Sequence, residues 1–141
     1  MLKFTSAEKA IQLLYSSKGF DRVIHAVKII TTGNGSVTAE LKVEEEHLNL
    51  VGNLHGGLSA TLVDVISGIG LLTHKIGLRP SVSVNMNLSY YTGAKSGDTI
   101  QIISETLKAG NNLAFLQIEI KNKETGATLV KGTHTKFLLG S

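Results

Sequence analysis

The chain has 141 residues, a length that suits one domain with its own hydrophobic core. Fourteen basic and eleven acidic residues give a net charge of +3, which fits an anionic ligand but is too small an excess to indicate nucleic acid. Only seven Phe and Tyr are present and no Cys, which argues against a base-stacking platform, disulfide bonds and thiol catalysis. We therefore expect a single domain over residues 1–141.

Signals for metals, membranes and export are weak. The five histidines are scattered without the spacing of a metal site, so neither a metal nor a cofactor is expected. No apolar run reaches the length of a membrane span, and the N-terminus lacks the apolar core of a secretory leader. We expect a chain without stable membrane insertion, in a reducing compartment that suits the absence of Cys.

The N-terminal part predicts a helix within residues 1–20 and then a hairpin. Thr5-Ser6-Ala7-Glu8 is a capping-box pattern, and Gly19 is a suitable stop. Residues 22–32 are rich in β-formers, Gly33-Asn34-Gly35 predicts a turn, and residues 37–43 alternate between apolar and polar. The acidic run over residues 44–47 is interpreted as a solvated corner.

A long helix is predicted over residues 55–76. It is apolar nearly all round, which is typical of a buried helix. Four of its polar or small residues form one narrow stripe at spacings of four, three and four, namely Gly57, Thr61, Asp64 and Gly68. A carboxylate in an apolar helix is costly to desolvate, so Asp64 is either a hydrogen-bonded structural residue or a functional one.

The segment His55-Gly56-Gly57 at the start of this helix also has two interpretations. The glycines can serve only as a tight entry turn. Alternatively, the unpaired amides of the first helical turn bind an oxyanion that develops on a carbonyl oxygen. Without a phosphate-loop lysine or a βαβ context, the glycine pair is poor evidence for a nucleotide site.

The distance along the helix predicts a dimer. Gly57 and Asp64 lie seven residues apart, which corresponds to roughly 10 Å. A general base must lie within about 3 Å of the proton that it removes, or one water away. If both groups act on one carbonyl, Asp64 of one subunit must reach the glycines of another across a two-fold axis.

The rest of the chain is predicted to be strand. Residues 82–90 alternate with Val82, Val84, Met86, Leu88 and Tyr90 on one face, which is interpreted as the core face. Further strands are expected near residues 99–108, 112–122 and 127–138. A buried helix with hairpin-connected strands is an α+β domain, an antiparallel sheet wrapped around a long central helix in the hotdog arrangement.

Three segments resemble hotdog-fold acyl-CoA thioesterases of the thioesterase superfamily member 2 type: residues 49–64, residues 82–90 and His134-Thr135-Lys136. The resemblance implies hydrolysis of fatty acyl-CoA, of medium to long chain, without a cofactor. Carried over, it implies that the Gly56 amide and Asn49 bind the thioester oxygen, and that His55 supports their loop. Asp64 of the other subunit is the implied general base or nucleophile, and Ser83 orients the water.

The resemblance also implies a CoA site, formed by Ser83, Asn85, Tyr90, Tyr91, Thr92, Gly93, Ala94, Lys95, Lys108, Ala109, Gly110, Asn111, Asn112, Leu113 and Phe137. Lys95 and Lys108 are suitable phosphate partners, although exposed lysines are common. The sequence departs from the family pattern at two of these positions, where relatives carry an acid in place of Asn85 and a His in place of Phe137.

Further implications concern assembly and location. The resemblance implies a homodimer with shared sites, assembled as a dimer of dimers, a cytoplasmic or mitochondrial location, and a lipid-transfer protein as partner. Two other functions stay open from the residues: a hotdog hydratase or dehydratase, which would use a His beside a carboxylate, and a non-catalytic acyl-CoA-binding regulator, which would not need Asp64.

Overall fold

The computed structural model describes residues 6–140. Its helices are α1 (Ala7–Ser16) and α2 (Gly56–Leu72), and 3₁₀ turns cover Phe20–Ile24 and Glu45–His47. The strands are β1 (Lys28–Gly33), β2 (Ser36–Lys42), β3 (Ser81–Tyr90), β4 (Thr99–Ala109), β5 (Leu113–Asn122) and β6 (Thr128–Leu138). They form one antiparallel sheet in the order β1-β2-β4-β5-β6-β3, with β1 and β3 at its edges.

The hydrophobic core lies between α2 and the inner face of the sheet. Alternate residues of β2, β4 and β5 are buried there, as expected for strands with one solvated face. They meet the fully buried Leu62 and Ile66 of α2, which packs mainly against β2 and β4. This confirms the predicted α+β architecture of an antiparallel sheet around a long helix.

The N-terminal segment differs from its prediction in two respects. Helix α1 is shorter than residues 1–20, and Ser6 is its N-cap, with Oγ accepting a hydrogen bond from the Lys9 N–H at 3.0 Å. Residues 1–5, including Thr5 of the predicted capping box, lie outside the described range. The expected strand over residues 22–32 begins only at Lys28, because Ile24 ends a 3₁₀ turn that buries its side chain completely.

Helix α2 is also shorter than the predicted 55–76. His55 is its N-cap, and the helix ends at Leu72. The Thr73 N–H bonds to the Gly70 carbonyl, which tightens the last turn and ends the helix four residues earlier than expected. The β1–β2 hairpin is confirmed, since Asn34 and Gly35 both have positive φ in the two-residue turn.

Strand β3 contains a β-bulge that changes which side chains face the helix. Ser83 is paired with Lys136 of β6, whereas Asn85 is paired with Thr135, so Val84 is the extra residue. The predicted alternation over residues 82–90 is therefore wrong before the bulge. Ser83 faces inward like its buried partner Lys136, and Val82 is half-exposed on the other face.

Candidate functional site

A hydrogen-bonded chain of side chains begins at Asp64, in the middle of α2. Ser83 Oγ donates to Asp64 Oδ1 at 2.9 Å and lies 2.7 Å from His134 Nε2. His134 Nδ1 is 2.9 Å from Ser67 Oγ, one turn further along α2. The bulge at Val84 creates this arrangement, because it turns Ser83 toward the helix.

Asp64 itself is more exposed than its apolar helix predicts. Its side chain is 49 % exposed, so within a single chain it is not the desolvated carboxylate expected from the sequence. It borders a groove of about 550 Å³ between α1, α2 and the start of β3, lined mostly by apolar side chains. The predicted stripe accounts for this exposure, because Thr61, Asp64 and Gly68 lie on the less buried side of α2.

Three buried polar residues near Asp64 had no predicted role. His134 and Ser67 are almost inaccessible, and burial lowers the pKa of His134 to about 4. Lys136 is 7 % exposed and lines the same groove, and burial lowers the pKa of its ammonium while the nearby Asp64 opposes that shift. His134 and Lys136 are two residues apart in the sequence, which places both side chains on one face of a strand. Nothing in the sequence indicates that this face lies against Asp64.

The other end of α2 carries the predicted oxyanion amides. His55 Nδ1 accepts a hydrogen bond from the Gly57 N–H at 2.9 Å, so this amide already has a partner. The Gly56 N–H makes no hydrogen bond within residues 6–140 and is left for a ligand. Of the two glycine amides considered from the sequence, only that of Gly56 is available.

Asn49 lies in the loop beside this helix start, and its side chain has a fixed orientation. Its Oδ1 accepts hydrogen bonds from the N–H groups of Val51 and Asn53, both at 3.0 Å. Because Oδ1 is held by the loop, the Nδ2 group is the free donor of the amide. Asn49 and His55, the residue that precedes Gly56, border the same shallow depression.

Within one chain the two parts of the site stay apart. Gly56 and Asp64 are eight residues apart on α2, about 12 Å at the rise of a helix. The two ends of β3 contact different parts of the site. Tyr90 Oη donates to the Gly56 carbonyl at 2.9 Å, whereas Ser83 contacts Asp64. The base and the oxyanion donors of one chain therefore cannot meet on one carbonyl.

Apart from Ser83, which contacts Asp64, the residues implied in CoA binding fall into two groups, one on the outer face of the sheet and one at the Gly56 end of α2. Asn85, Leu113 and Phe137 lie together on the outer face of the sheet, where Phe137 pairs with Leu113, and the hairpin over residues 108–113 is beside them. The segment 90–95 lies at the Gly56 end, where the Ala94 carbonyl accepts the Leu54 N–H at 2.7 Å. Ala94 is completely buried, so it can shape the loop but does not face a ligand in one chain.

The described residues add two observations. Among residues 6–140, no group of three or more His, Asp and Glu side chains is placed to hold a metal ion. Over the same range, no helix is both long and apolar enough to cross a bilayer.

Comparison with known proteins places this geometry in a family. The model of the thioesterase superfamily matches residues 51–128, from the loop before α2 to the first residue of β6. The chain belongs to the thioesterase superfamily. It is 44 % identical to human acyl-coenzyme A thioesterase 13 over 133 residues, which cover 94 % of each chain.

Solved structures of the superfamily give the same result for the fold. Thioesterase superfamily member 2 from zebra fish superimposes with a TM-score of 0.89 at 40 % identity, covering 96 % of this chain and 100 % of that one. A hypothetical thioesterase from Streptococcus pneumoniae, solved with coenzyme A, has a TM-score of 0.77 at 30 % identity and covers 84 % and 91 %. The predicted hotdog thioesterase fold is thus confirmed.

Proposed function

We propose that the protein hydrolyses fatty acyl-CoA to a free fatty acid and CoA, at a site shared by two subunits. The Gly56 amide and Asn49 Nδ2 bind the thioester oxygen, and His55 holds their loop. Asp64 of the other subunit acts as general base or nucleophile, and Ser83 orients the water. The observation that carries this assignment is the geometry of α2. Its first amide, that of Gly56, bonds to nothing within residues 6–140, and Asp64 accepts a hydrogen bond from Ser83 further along the helix.

The chemistry needs both parts. In the general-base route, water attacks the thioester carbon, Asp64 takes its proton, and negative charge develops on the carbonyl oxygen. The donors at the positive end of the α2 dipole stabilise that charge, by about 3 kcal/mol for each well-placed donor. The carbon–sulfur bond then breaks, and the CoA thiolate receives the proton from Asp64. No cofactor takes part in this reaction.

The exposed edge strand supports the shared site. β3 is ten residues long and lies at the edge of the sheet, where Val84 is 59 % exposed. A long exposed edge strand tends to pair with a strand of another chain. Antiparallel pairing of two β3 strands about a two-fold axis near Asn87, with Val84 again the extra residue, sets Ser83 opposite the partner's Tyr90. Since Ser83 contacts Asp64 and Tyr90 contacts Gly56, this register brings Asp64 to the partner's Gly56.

The outer face of the sheet supports the further assembly into a dimer of dimers. It carries an exposed apolar patch, which we call the outer patch, formed by Val82, Leu107, Leu113, Phe115 and Phe137. Patches of this kind mark association surfaces. The outer patch adjoins Asn85 and the hairpin 108–113, so we place the CoA nucleotide near it, with Lys108 as a phosphate partner and Lys95 contributed from the other group.

The apolar groove beside Asp64 is the proposed site of the acyl chain. It begins at the carboxylate and runs between α1 and α2, where Leu13 and Ile69 line it. A chain of medium to long length suits a groove of about 550 Å³, within the range of small-molecule sites. Leu13→Phe should shift the preference toward shorter chains, whereas Ile30→Phe, at an exposed position of β1, should not.

The central test is thiol release from a chain-length series of acyl-CoA with the wild type and Asp64→Asn. We expect the wild type to release free CoA and fatty acid. Loss of a general base should lower the turnover of the variant by roughly two to four orders of magnitude. Acyl-CoA binding should change little. Hydration of an enoyl-CoA without thiol release would indicate a hydratase, and unchanged turnover in Asp64→Asn would remove the residue from the reaction.

A mixing experiment tests the shared site separately. Asp64→Asn and Asn49→Asp each disable both sites of their own dimer, but a mixed dimer keeps one site with Asp64 and Asn49 intact. Random mixing makes half of the dimers mixed, each with one of two sites active, so about one quarter of the wild-type activity should return. No recovery after proven subunit exchange would mean that each site lies within one chain.

Two expectations concern the cell. We propose a cytoplasmic or mitochondrial location and a lipid-transfer protein as partner, both from the family resemblance alone. Fractionation of cells that express a tagged chain tests the first. Binding of a purified lipid-transfer protein, measured by calorimetry with and without acyl-CoA, tests the second.

A further inference from the structure

The hydrogen-bonded chain behind Asp64 continues further than the proposed reaction requires. It runs from Asp64 through Ser83 and His134 to Ser67, with links of 2.9, 2.7 and 2.9 Å. Ser67 and His134 are almost completely buried, whereas Ser83 is exposed and open to water. A buried polar chain of this length that ends on the base has a direction, because each hydroxyl carries a single hydrogen.

The ionised carboxylate decides that direction. A carboxylate that acts as a base can only accept hydrogen bonds, so Ser83 donates its hydrogen to Asp64 Oδ1. Ser83 Oγ must then accept from His134, which places the imidazole hydrogen on Nε2. His134 Nδ1 is left bare and accepts from the Ser67 hydroxyl. Every link is satisfied with a neutral imidazole.

Only one other arrangement lets a neutral ring bond to both serines, and it runs in the opposite direction. Ser67 Oγ also lies 3.2 Å from the Asp64 backbone carbonyl. If its hydrogen pointed there, His134 would carry its hydrogen on Nδ1, and Nε2 would take the hydrogen of Ser83. Asp64 Oδ1 would then lose its donor. Bonds to an ionised acceptor are the stronger ones, so the first arrangement is favoured.

We propose that His134, supported by Ser67, is a positioning residue that makes Ser83 a hydrogen-bond donor to Asp64 and an acceptor toward the attacking water. This inference rests on the proposed function, in which Asp64 activates that water. Ser83 Oγ uses its hydrogen on Asp64 and one lone pair on His134, so its remaining lone pair can only accept a hydrogen. The water therefore donates one hydrogen to Ser83 and the other to Asp64 Oδ2, and its own lone pairs face the thioester carbon.

The surroundings keep the ring neutral. The charged groups near His134 are Asp64, whose Oδ1 is 3.7 Å from Nε2, and Lys136 on the same strand. Burial is the largest cause of the low pKa of His134, Lys136 adds to it, and Asp64 opposes it. An imidazolium would donate from both nitrogens, so Ser67 could no longer donate to Nδ1.

The tautomer is measured directly on the wild type by ¹⁵N NMR of the His-labelled protein at pH 7, with His134→Gln to assign its signal. We expect His134 to carry its hydrogen on Nε2. A hydrogen on Nδ1 would overturn the proposal. This measurement uses no substrate, so its outcome does not depend on the proposed function. Failure of the proposed function would appear separately, as absence of thiol release by the wild type.

Kinetics of three variants complete the test. His134→Leu removes the donor to Ser83, and kcat should fall by about tenfold to a hundredfold with little change in KM. His134→Gln keeps an N–H near the Nε2 position and should recover about tenfold of that loss. Ser67→Ala should cost less than His134→Leu. If His134 had only a structural role, kcat of the variants would follow their thermal stability. Equal kcat in His134→Leu and His134→Gln, or a change confined to KM, would also overturn the proposal.

Discussion

The buried imidazole of His134 should make the fold sensitive to acid over a defined range. Its pKa is about 4 in the folded chain against an ordinary 6.5. Between these values the unfolded chain binds a proton that the folded chain does not, so the free energy of unfolding falls as the pH falls from 6.5 to 4. The difference of about 2.5 units, at about 1.36 kcal/mol per unit, amounts to about 3 kcal/mol. Above pH 6.5 this contribution is fully present, and below pH 4 the loss is complete.

The assay is urea unfolding at pH 7 and pH 4, with protein concentration fixed because assembly affects apparent stability. The wild type should lose about 3 kcal/mol more than His134→Gln between the two pH values. Glu40, whose pKa is lowered by a hydrogen bond from Lys123, also loses stabilisation in acid, but equally in both proteins. His74→Gln is the matched control and should keep the wild-type acid loss. Equal losses in wild type and His134→Gln would refute the reasoning.

Three other predictions concern single positions. Asn49→Asp keeps the Oδ1 acceptor of the loop but deletes the Nδ2 donor, so kcat should fall about a hundredfold or more at unchanged Tm. Asn49→Ala removes the acceptor as well and should also lower the Tm. A wild-type kcat in Asn49→Asp would contradict this role. Gly132→Ala places a Cβ against the Asn87 carbonyl of β3, so urea unfolding should show a loss of about 3 kcal/mol or more, and near-wild-type stability would contradict the packing. Lys136→Met removes a desolvated ammonium and should stabilise the fold by about 1 kcal/mol, which a lower unfolding midpoint would disprove.

The features that could be predicted from the sequence are those set by local patterns. Gly33-Asn34-Gly35 predicts a turn because Asn and Gly tolerate positive φ, and in the structure Asn34 and Gly35 form it. The stripe with Thr61 and Asp64 at its centre follows from helical spacing alone, and it is the less buried side of α2. Spacing also predicts that Gly57 and Asp64 are too far apart to act together within one chain.

The contacts of Ser83 and His134 could not be predicted, because they depend on a shift of one residue in the register of β3. The alternation over residues 82–90 is regular in the sequence, and nothing in it marks Val84 as a bulge. Without the bulge Ser83 would face away from Asp64, so the contact between them has no local signal. The partner of His134 is hidden for the same reason, because the pairing of β3 with β6 joins residues about fifty apart in the chain.

Neither part of the proposed site is finished within one chain. Asp64 is half-exposed, whereas a base works best where water is excluded. The Gly56 amide, at the exposed start of α2, bonds to none of the residues from Ser6 to Gly140. Docking the partner's α2 against the stripe of Gly57, Thr61, Asp64 and Gly68 would cover the carboxylate and enclose the amide in one step. In the proposed dimer, the small residues of that stripe would let two helix backbones approach closely enough for Asp64 to reach the partner subunit's helix start. The same contact would exclude water from the carboxylate, so in the proposed dimer catalysis and assembly should fail together when that face of α2 is altered.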